Sequence, residues 1–359
     1  MTEPVLSIRN LTVDIPTRYA VLRPVDNVSY DIAPGEILGV VGESGAGKSM
    51  AGNAVIGLLN PPAHISSGEV WLNGKRIDQL GIDALRRVRG KDIGMVFQDP
   101  LTSLNPLLRI GDQLTETMLA HLPISRAEAD ERAVAALEEV GIPAARQRVN
   151  SYPHEFSGGM RQRVVIALAL CAEPSLVIAD EPTTALDVSV QAQIIALLKR
   201  LCRERGTAVM LITHDMGVIA EAADRVAVMY AGRLAELGPV RDVISQPSHP
   251  YTHGLMGSTP LASKGLARLH QIPGSMPRLG RLPEGCAFNP RCPRAADRCR
   301  QDPRPVIGAT ERAACWYPME GAPAAADATP PNAGARHLPD TSPTEGRPGA
   351  DAGLQGGNP

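Results

Sequence analysis

The chain has 359 residues, 43% of them hydrophobic, which is enough to bury a full core in one large domain with an appendage, or in two domains. Its 36 Lys and Arg nearly balance 38 Asp and Glu, and the formal net charge of -2 excludes a broad cationic surface for nucleic acid or anionic lipid. Any anionic ligand must therefore bind at a local site.

Targeting and membrane segments are not indicated by the pattern. The start, MTEPVLSIRN, has no basic segment followed by an apolar one, and the longest apolar stretches, such as Val164–Ala172, are too short to span a bilayer. The sequence therefore predicts a cytoplasmic chain.

The first part of the chain combines short strands with two helical patterns. The predicted strands are residues 5–13, 28–32, 36–41, 68–72 and 93–97. One helical pattern runs from Lys48 to about Leu58, and a Glu-, Ala- and Leu-rich pattern covers Gln113–Val140. The second pattern indicates an inserted helical subdomain at about residues 100–160.

From Gly158 onward, helices and strands alternate. The predicted helices are residues 158–171, 188–202 and 216–223, and the predicted strands are residues 176–179, 208–213 and 226–230. Strands separated by helices of this length pair in parallel with both faces covered. The sequence thus predicts an α/β fold with a parallel core sheet, beside an antiparallel β subdomain formed by the early strands.

The end of the chain changes in composition. Beyond Pro250 it becomes rich in Pro, Gly and Cys, and residues 319–359 contain no Val, Ile or aromatic residue. Such a segment cannot offset its own ordering entropy, so we expect it to be disordered. The predicted domains are residues 1–250, a smaller region at 251–318 and the tail at 319–359.

A glycine-rich loop lies between the third strand and the first helix. It matches the phosphate-binding pattern G-x-x-x-x-G-K-[ST] with Gly42, Glu43, Ser44, Gly45, Ala46, Gly47, Lys48 and Ser49. Its backbone N–H groups and the helix N-terminus would face phosphates, Lys48 would reach the β- and γ-phosphates, and Ser49 would ligate Mg²⁺. Met50 stands where a dinucleotide fingerprint needs its third glycine, which disfavours that alternative.

Two adjacent carboxylates end the apolar strand LVIADE. Asp180 is suited to hold Mg²⁺ through its water shell, and Glu181 to polarise an attacking water molecule. By itself this pair is equally typical of a solvated strand end.

The segment Phe156–Arg163, with Ser157, Gly158 and Gly159 at a helix start, resembles the LSGGQ signature of ATP-binding-cassette (ABC) proteins. Without that resemblance, Ser-Gly-Gly could equally be a helix cap. Further matches are Gln98 to the Q-loop glutamine, Thr184–Asp187 to the D-loop, His214 to the switch histidine and Tyr19 to the adenine-stacking aromatic. Packing of Tyr19 in the protein is an open alternative.

The resemblance covers roughly residues 4–318 and implies an ATPase that uses ATP and Mg²⁺. Two such domains would enclose two ATP molecules head to tail. One subunit would contribute to each site the phosphate loop and the catalytic residues Glu181, His214 and Gln98. The other subunit would contribute the Ser157 segment and Asp187. Hydrolysis would separate the halves and drive a transporter on the cytoplasmic face of the inner membrane.

Three segments resemble one branch of that family, the ATPases of oligopeptide and dipeptide permeases: QDPLTSLNPLLRIGDQLTE, YPHEFSGGMRQR and HPYTHGLM. The branch also serves nickel and glutathione import. It implies two transmembrane permease subunits, an extracytoplasmic solute-binding protein and a second ATPase, as a paralogue or a second copy. One alternative is an ABC ATPase coupled to nucleic acid, which the single-cassette length disfavours. The other is a subunit that binds ATP without hydrolysing it, which the intact motifs disfavour.

Four cysteines crowd the C-terminal region: Cys286, Cys292, Cys299 and Cys315. Four thiolates suit either tetrahedral zinc or an iron-sulfur cluster, and free thiols are a third reading. The spacings of five and six intervening residues differ from the C-x-x-C pairs of zinc ribbons. The resemblance to the permease branch implies a 4Fe-4S cluster.

Overall fold

The computed structural model describes residues 3–184, 186–258, 271–303, 305–307 and 312–319. Apart from Met319, the tail predicted at 319–359 lies outside these residues, as does Ala185 of the D-loop match.

Strands and helices alternate over residues 158–230, whereas residues 6–41 contain three strands in succession. The strands are β1 (Leu6–Pro16), β2 (Val21–Ile32), β3 (Ile37–Val41), β4 (His64–Leu72), β5 (Lys75–Arg76), β6 (Ile93–Val96), β7 (Leu176–Asp180), β8 (Ala208–Ile212), β9 (Arg225–Tyr230) and β10 (Arg233–Pro239). The α-helices are α1 (Lys48–Val55), α2 (Ile82–Val88), α3 (Pro100–Ser103), α4 (Ile110–His121), α5 (Arg126–Glu139), α6 (Ala145–Arg148), α7 (Gly158–Leu170), α8 (Val188–Arg205), α9 (Met216–Ala222), α10 (Val240–Ser245), α11 (Pro250–Gly257) and α12 (Asp297–Gln301). Short 3-10 helices occur at Pro153–Glu155 and Leu279–Arg281.

These strands form two sheets. The larger has the order β10-β9-β3-β8-β7-β6, in which β9, β3, β8, β7 and β6 are parallel and β10 runs antiparallel to β9. The smaller sheet has the order β2-β1-β4-β5 and is antiparallel. The predicted α/β core with an antiparallel β subdomain is confirmed.

The central strand β3 has apolar neighbours on both faces, as its continuous apolar sequence predicts. Leu38 and Val40 belong to a core shared with the smaller sheet and α1. Ile37 and Val41 belong to a second core that contains helices α7, α8 and α9. Alternate side chains point to opposite faces of a strand, so five fully buried residues of β3 join the two cores.

The helical pattern predicted over Gln113–Val140 is divided into α4 and α5. Pro123 lies in the break, where its ring and missing N–H prevent the helix from continuing. Ser125 then starts α5 by accepting a hydrogen bond from the Glu128 backbone N–H at 3.2 Å. Strand β2 begins at Val21, earlier than predicted, and β10 was not predicted.

Between β6 and α7, the described chain contains only helical elements, from α3 to α6. The domain boundaries drawn from the sequence stay predictions. None of the helices within the described ranges combines the length and apolar character that crossing a bilayer requires.

Candidate nucleotide-binding and hydrolysis site

The glycine-rich loop connects the buried strand β3 to α1. Its backbone requires glycine: Gly47 has φ of 103°, and a Cβ atom there would lie 2.1 Å from the Pro24 carbonyl oxygen. Helix α1 begins at the next residue, Lys48, so its first N–H groups point into the loop. This geometry is the one that the predicted phosphate-binding loop requires, and binding of an anion there stays a prediction.

Lys48 is held on this loop. Its ammonium donates to the carbonyl oxygens of Gly42 at 2.8 Å and Glu43 at 3.1 Å, and the residue is 6% exposed. Burial lowers the pKa of Lys48, although the charges of Glu181 and Asp180 oppose the shift. The side chain is thereby positioned at the loop before a phosphate arrives.

Asp180, the last residue of β7, lies against the start of α1. The Ser49 hydroxyl donates to Asp180 Oδ1 at 2.9 Å. Burial raises the pKa of Asp180, and the nearby Glu181 charge adds to that shift, while Ser49 and Lys48 oppose it. A hydroxyl and a carboxylate so close together are donors of the kind Mg²⁺ takes, and a cation would relieve the buried negative charge.

Glu181 receives hydrogen bonds from three directions. Thr184 Oγ1 donates to its Oε2 at 2.9 Å, Gln98 Nε2 donates to the same oxygen at 3.1 Å, and His214 Nδ1 lies 3.2 Å from Oε1. Burial alone would raise the pKa of Glu181, but the bonds from Thr184 and His214 and the charges of His214 and Lys48 lower it overall. The carboxylate is thus kept ionised and oriented.

The backbone of Glu181 is unusual. Its φ of 47° lies in the left-handed region, which non-glycine residues adopt at a cost, and its N–H donates to the Ile212 carbonyl at 2.8 Å. Backbone strain of this kind concentrates at functional sites.

The sheet order explains why these side chains meet. Gln98 follows β6, Glu181 follows β7 and His214 follows β8, and these three strands are neighbours in the parallel sheet. The carboxyl ends of parallel strands open at one edge, which is where α/β proteins bind ligands. The three predicted catalytic residues are therefore brought together.

The signature segment starts helix α7. Ser157 caps it by accepting a hydrogen bond from the Met160 N–H at 3.4 Å, and Ser157 and Gly158 are exposed. A Cβ on Gly159 would lie 2.7 Å from Val190 Cγ1, so glycine lets α8 approach. Asp187 caps α8 through bonds from Ser189 and Val190, and these lower its pKa.

Tyr19 lies in the turn between β1 and β2 and is 94% exposed. The ring of Tyr19 is therefore not packed inside the protein, which was the alternative to stacking on adenine. The ring is available to a ligand.

The four C-terminal cysteines line one cavity, together with His249, Phe288 and Trp316. Burial raises the pKa of Cys292, and it raises that of Cys315 to about 11; in both cases the neighbouring cysteines add to the shift. No group of three or more His, Cys, Asp or Glu side chains within the described ranges is arranged to hold a metal ion.

Three contacts at the site were not predicted. Thr184 was assigned to the D-loop match without its bond to Glu181, and Tyr251 and Arg291 contact Glu43 from the C-terminal region. Tyr251 lies in HPYTHGLM, one of the segments that resemble the permease branch, and Arg291 directly precedes Cys292 of the four-cysteine group.

Similarity to known proteins was found at the levels of family, sequence and fold. Residues 25–184 match the ABC transporter family. The chain is 49% identical over 290 residues to the dipeptide transport ATP-binding protein DppD of Bacillus subtilis, covering 80% of this chain and 87% of that protein. The chain belongs to the family of ABC transporter ATP-binding proteins. It is an ATPase of that family.

Further comparisons place the chain in a branch of the family. Residues 235–299 match the oligopeptide/dipeptide transporter C-terminal region. The chain is 50% identical over 286 residues to the oligopeptide transport ATP-binding protein OppD of Salmonella typhimurium, covering 80% of this chain and 85% of that protein.

Among solved structures, the dimeric post-hydrolysis state of the ATP-binding cassette MJ0796, bound to ADP and Pi, resembles the chain with a TM-score of 0.59 at 30% identity. The match covers 66% of this chain and 99% of that one. The cassette fold of the ABC ATPase is confirmed.

Proposed function

We propose that this ABC ATPase energises a bacterial importer of di- and oligopeptides. The observation that carries the proposal is the joint match to the ABC transporter family and to the oligopeptide/dipeptide C-terminal region. The printed functions of DppD and OppD, dipeptide and oligopeptide transport, support the same substrate class.

Uptake by the assembled transporter tests the proposal. The chain would be co-expressed with its permease subunits and reconstituted into vesicles that hold ATP on the inside, and entry of a labelled dipeptide and pentapeptide would be measured with the solute-binding protein outside. We expect peptide uptake that the Glu181→Gln variant abolishes. Uptake of nickel or glutathione without peptide uptake would contradict the proposal.

The phosphate loop and its neighbours bind the nucleotide in this proposal. N–H groups of residues 42–49 hold the β- and γ-phosphates, and Lys48 exchanges its carbonyl partners for phosphate oxygens. Ser49 would ligate Mg²⁺, Asp180 would hold it through water and Gln98 would be a further contact; when bound, the ion would supply positive charge beside the phosphates.

Glu181 orients and polarises the attacking water. Its lowered pKa keeps it able to accept a proton, and Gln98 and His214, which both contact it, are placed to position the water and the γ-phosphate.

The second half of each site comes from a facing subunit. Exposed Ser157 and the following glycines offer donors at a helix N-terminus, and Leu186, next to Asp187 in the sequence, lies beside Gly158. These donors would stabilise the transferring phosphoryl group in trans, and Tyr19 would stack on adenine within the same subunit as Lys48.

A permease subunit docks next to the Q-loop in this proposal. Four exposed apolar side chains occupy residues 97–108, immediately after β6: Phe97, Leu101, Leu107 and Leu108. Exposed apolar side chains on both sides of Gln98 in the sequence suit a cytoplasmic loop of the permease, whose movement would then reach Gln98. In this proposal the chain lies peripherally on the cytoplasmic face of the inner membrane, and a paralogous ATPase and an extracytoplasmic solute-binding protein complete the system.

We also propose that the four-cysteine cavity holds a 4Fe-4S cluster. One cavity lined by Cys286, Cys292, Cys299 and Cys315 supports this, since a four-iron cluster is wider than a single ion and needs more widely spaced thiolates. Tetrahedral zinc, which also takes four thiolates, is the alternative that metal analysis distinguishes. A bound cluster would cross-link the segments that carry its ligands.

Iron and acid-labile sulfide in anaerobically purified protein test the cluster. We expect about four of each per chain, lost in the Cys292→Ser/Cys299→Ser variant and retained in Cys171→Ser, which alters a cysteine outside the cavity. Stoichiometric zinc without iron, or no metal at all, would contradict it.

A further inference from the structure

The C-terminal region returns to the phosphate loop and holds its second residue. The Glu43 N–H donates to the Tyr251 hydroxyl at 2.9 Å, and Arg291 Nη1 lies 3.0 Å from each oxygen of the Glu43 carboxylate. The side chain of Arg291 is 7% exposed and that of Glu43 is 28% exposed. Both the backbone and the side chain of Glu43 are therefore held from outside the loop.

The Arg291 guanidinium is itself fixed. Its Nε donates to the Pro273 carbonyl at 2.8 Å, and its Nη1 donates to the Tyr230 hydroxyl at 3.2 Å. The rings of Tyr230 and Phe288 lie 5.8 and 5.9 Å from the guanidinium carbon. Tyr230 ends strand β9, so Arg291 joins the loop to the core sheet as well as to the C-terminal region.

The charge of Glu43 makes this contact relevant to nucleotide binding. A carboxylate on a loop whose function is to bind an anionic triphosphate opposes that binding unless a cation compensates it. Arg291 is the side chain within the described ranges that forms an ion pair with Glu43. The Glu43 carbonyl also accepts a hydrogen bond from Lys48, so movement of this residue would disturb the ammonium that meets the phosphates.

We propose that Arg291 is a positioning residue for ATP: it neutralises Glu43 and fixes the phosphate loop, so that nucleotide affinity depends on the C-terminal region. The proposal assigns to this region a contribution to the ATP site that is separate from the residues of the cassette motifs. It rests on nucleotide binding by the loop, and binding of MgATP to the wild-type chain, measured in parallel, separates the two claims.

The central experiment compares Arg291→Gln with the double variant Arg291→Gln/Glu43→Gln. In Arg291→Gln, an uncompensated carboxylate stays on the loop, and we expect the Kd and KM for MgATP to rise about tenfold while kcat changes less than about threefold. Removing that carboxylate in the double variant should restore affinity to within about threefold of wild type. Arg278→Gln, at an exposed arginine of the same region that does not line the four-cysteine cavity, is the matched control and should leave Kd unchanged.

Three results would overturn the proposal: a wild-type Kd in folded Arg291→Gln, a loss of affinity that Glu43→Gln does not relieve, or an equal loss in Arg278→Gln. If Arg291→Gln does not fold, the single variant Glu43→Gln decides. It leaves a cation at the loop, so we expect MgATP affinity to be kept or raised by up to about threefold at low salt. A tenfold loss in that variant would contradict charge compensation.

Discussion

The two halves of the proposed nucleotide site differ in how many hydrogen-bond partners their side chains have within this chain. In the phosphate half, Lys48, Asp180 and Glu181 have partners within the chain, and Glu181 alone contacts three side chains. In the signature half, Ser157 is exposed, and its side chain accepts one long hydrogen bond from its own helix. The first half is pre-organised in one subunit, whereas the second presents donors outward.

This difference indicates which steps each half controls. A pre-organised pocket binds nucleotide by itself, because its side chains are already placed when the ligand arrives. In the proposed arrangement, the outward donors at the start of α7 contribute only when the facing subunit brings a phosphate to them. Substitutions in the two halves should therefore separate ATP binding from ATP turnover.

The largest effect is expected from Glu181→Gln. Loss of the group that polarises water should lower ATP turnover by about 10²- to 10⁴-fold while MgATP binding persists, so that ATP is trapped. Turnover by phosphate release and retained ATP after gel filtration measure both effects. Glu173→Gln changes an exposed glutamate that also has a positive φ, and it should match wild type. Undiminished ATP turnover in Glu181→Gln would show that Glu181 does not polarise the attacking water.

Next in size is Ser157→Arg. Blocking the signature donors should lower turnover by the assembled transporter about 10²- to 10³-fold, as for loss of one transition-state donor. The Kd of the isolated chain for MgATP should stay within about twofold of wild type, because the pocket that binds ATP is in the other half.

The matched control for Ser157→Arg is Ser125→Arg, which removes the N-cap of α5 in the same way. Loss of either cap should lower the free energy of unfolding by about 1 kcal/mol, but only Ser157→Arg should stop ATP turnover. A weakened Kd for MgATP in the isolated Ser157→Arg chain would mean that the two halves are not separate.

A smaller effect is expected at the proposed permease contact. Leu107 is 82% exposed, and Leu107→Asp should reduce peptide uptake and co-purification with the permease by about tenfold. ATP turnover by the isolated chain should be unchanged, because both halves of the site are intact. Ile82→Asp replaces an equally apolar residue, 70% exposed on α2, and serves as the control. Normal peptide uptake in Leu107→Asp would show that the permease does not dock at Leu107.

The smallest effect is expected at Tyr19. Tyr19→Ala should raise the KM for ATP about 3- to 10-fold and leave kcat unchanged, since stacking on adenine adds uniform binding. Tyr19→Phe keeps the ring and should behave as wild type. Equal KM values for ATP in Tyr19→Ala and wild type would exclude the stacking role.

The sequence predicted those parts of the site that local patterns encode. The phosphate loop needs glycines at fixed offsets between a strand and a helix, and Asp180, Glu181 and His214 each end or follow an apolar strand, so their common edge follows from parallel pairing. The break between α4 and α5 was also encoded, by Pro123 and Ser125, but the helical composition on both sides concealed it.

Contacts between distant segments could not be predicted in this way. Arg291 and Glu43 are 248 positions apart, and nothing in either local sequence indicates that they pair. The Tyr251 hydroxyl reaches the loop because α11 packs beside β10, a strand that the sequence reading missed. Tertiary packing decides such pairs, and it is visible only in the folded chain.

The account depends most on the claim that Ser157 acts on a nucleotide bound by the facing subunit. The direct measurement is a structure of the assembled transporter carrying Glu181→Gln with MgATP bound. We predict Ser157 Oγ or the Gly158 and Gly159 N–H groups within about 3 Å of a γ-phosphate oxygen whose other contacts come from the facing subunit's phosphate loop. A closed, ATP-loaded assembly in which Ser157 contacts no γ-phosphate, or contacts the one held by Lys48 of its own chain, would contradict the account.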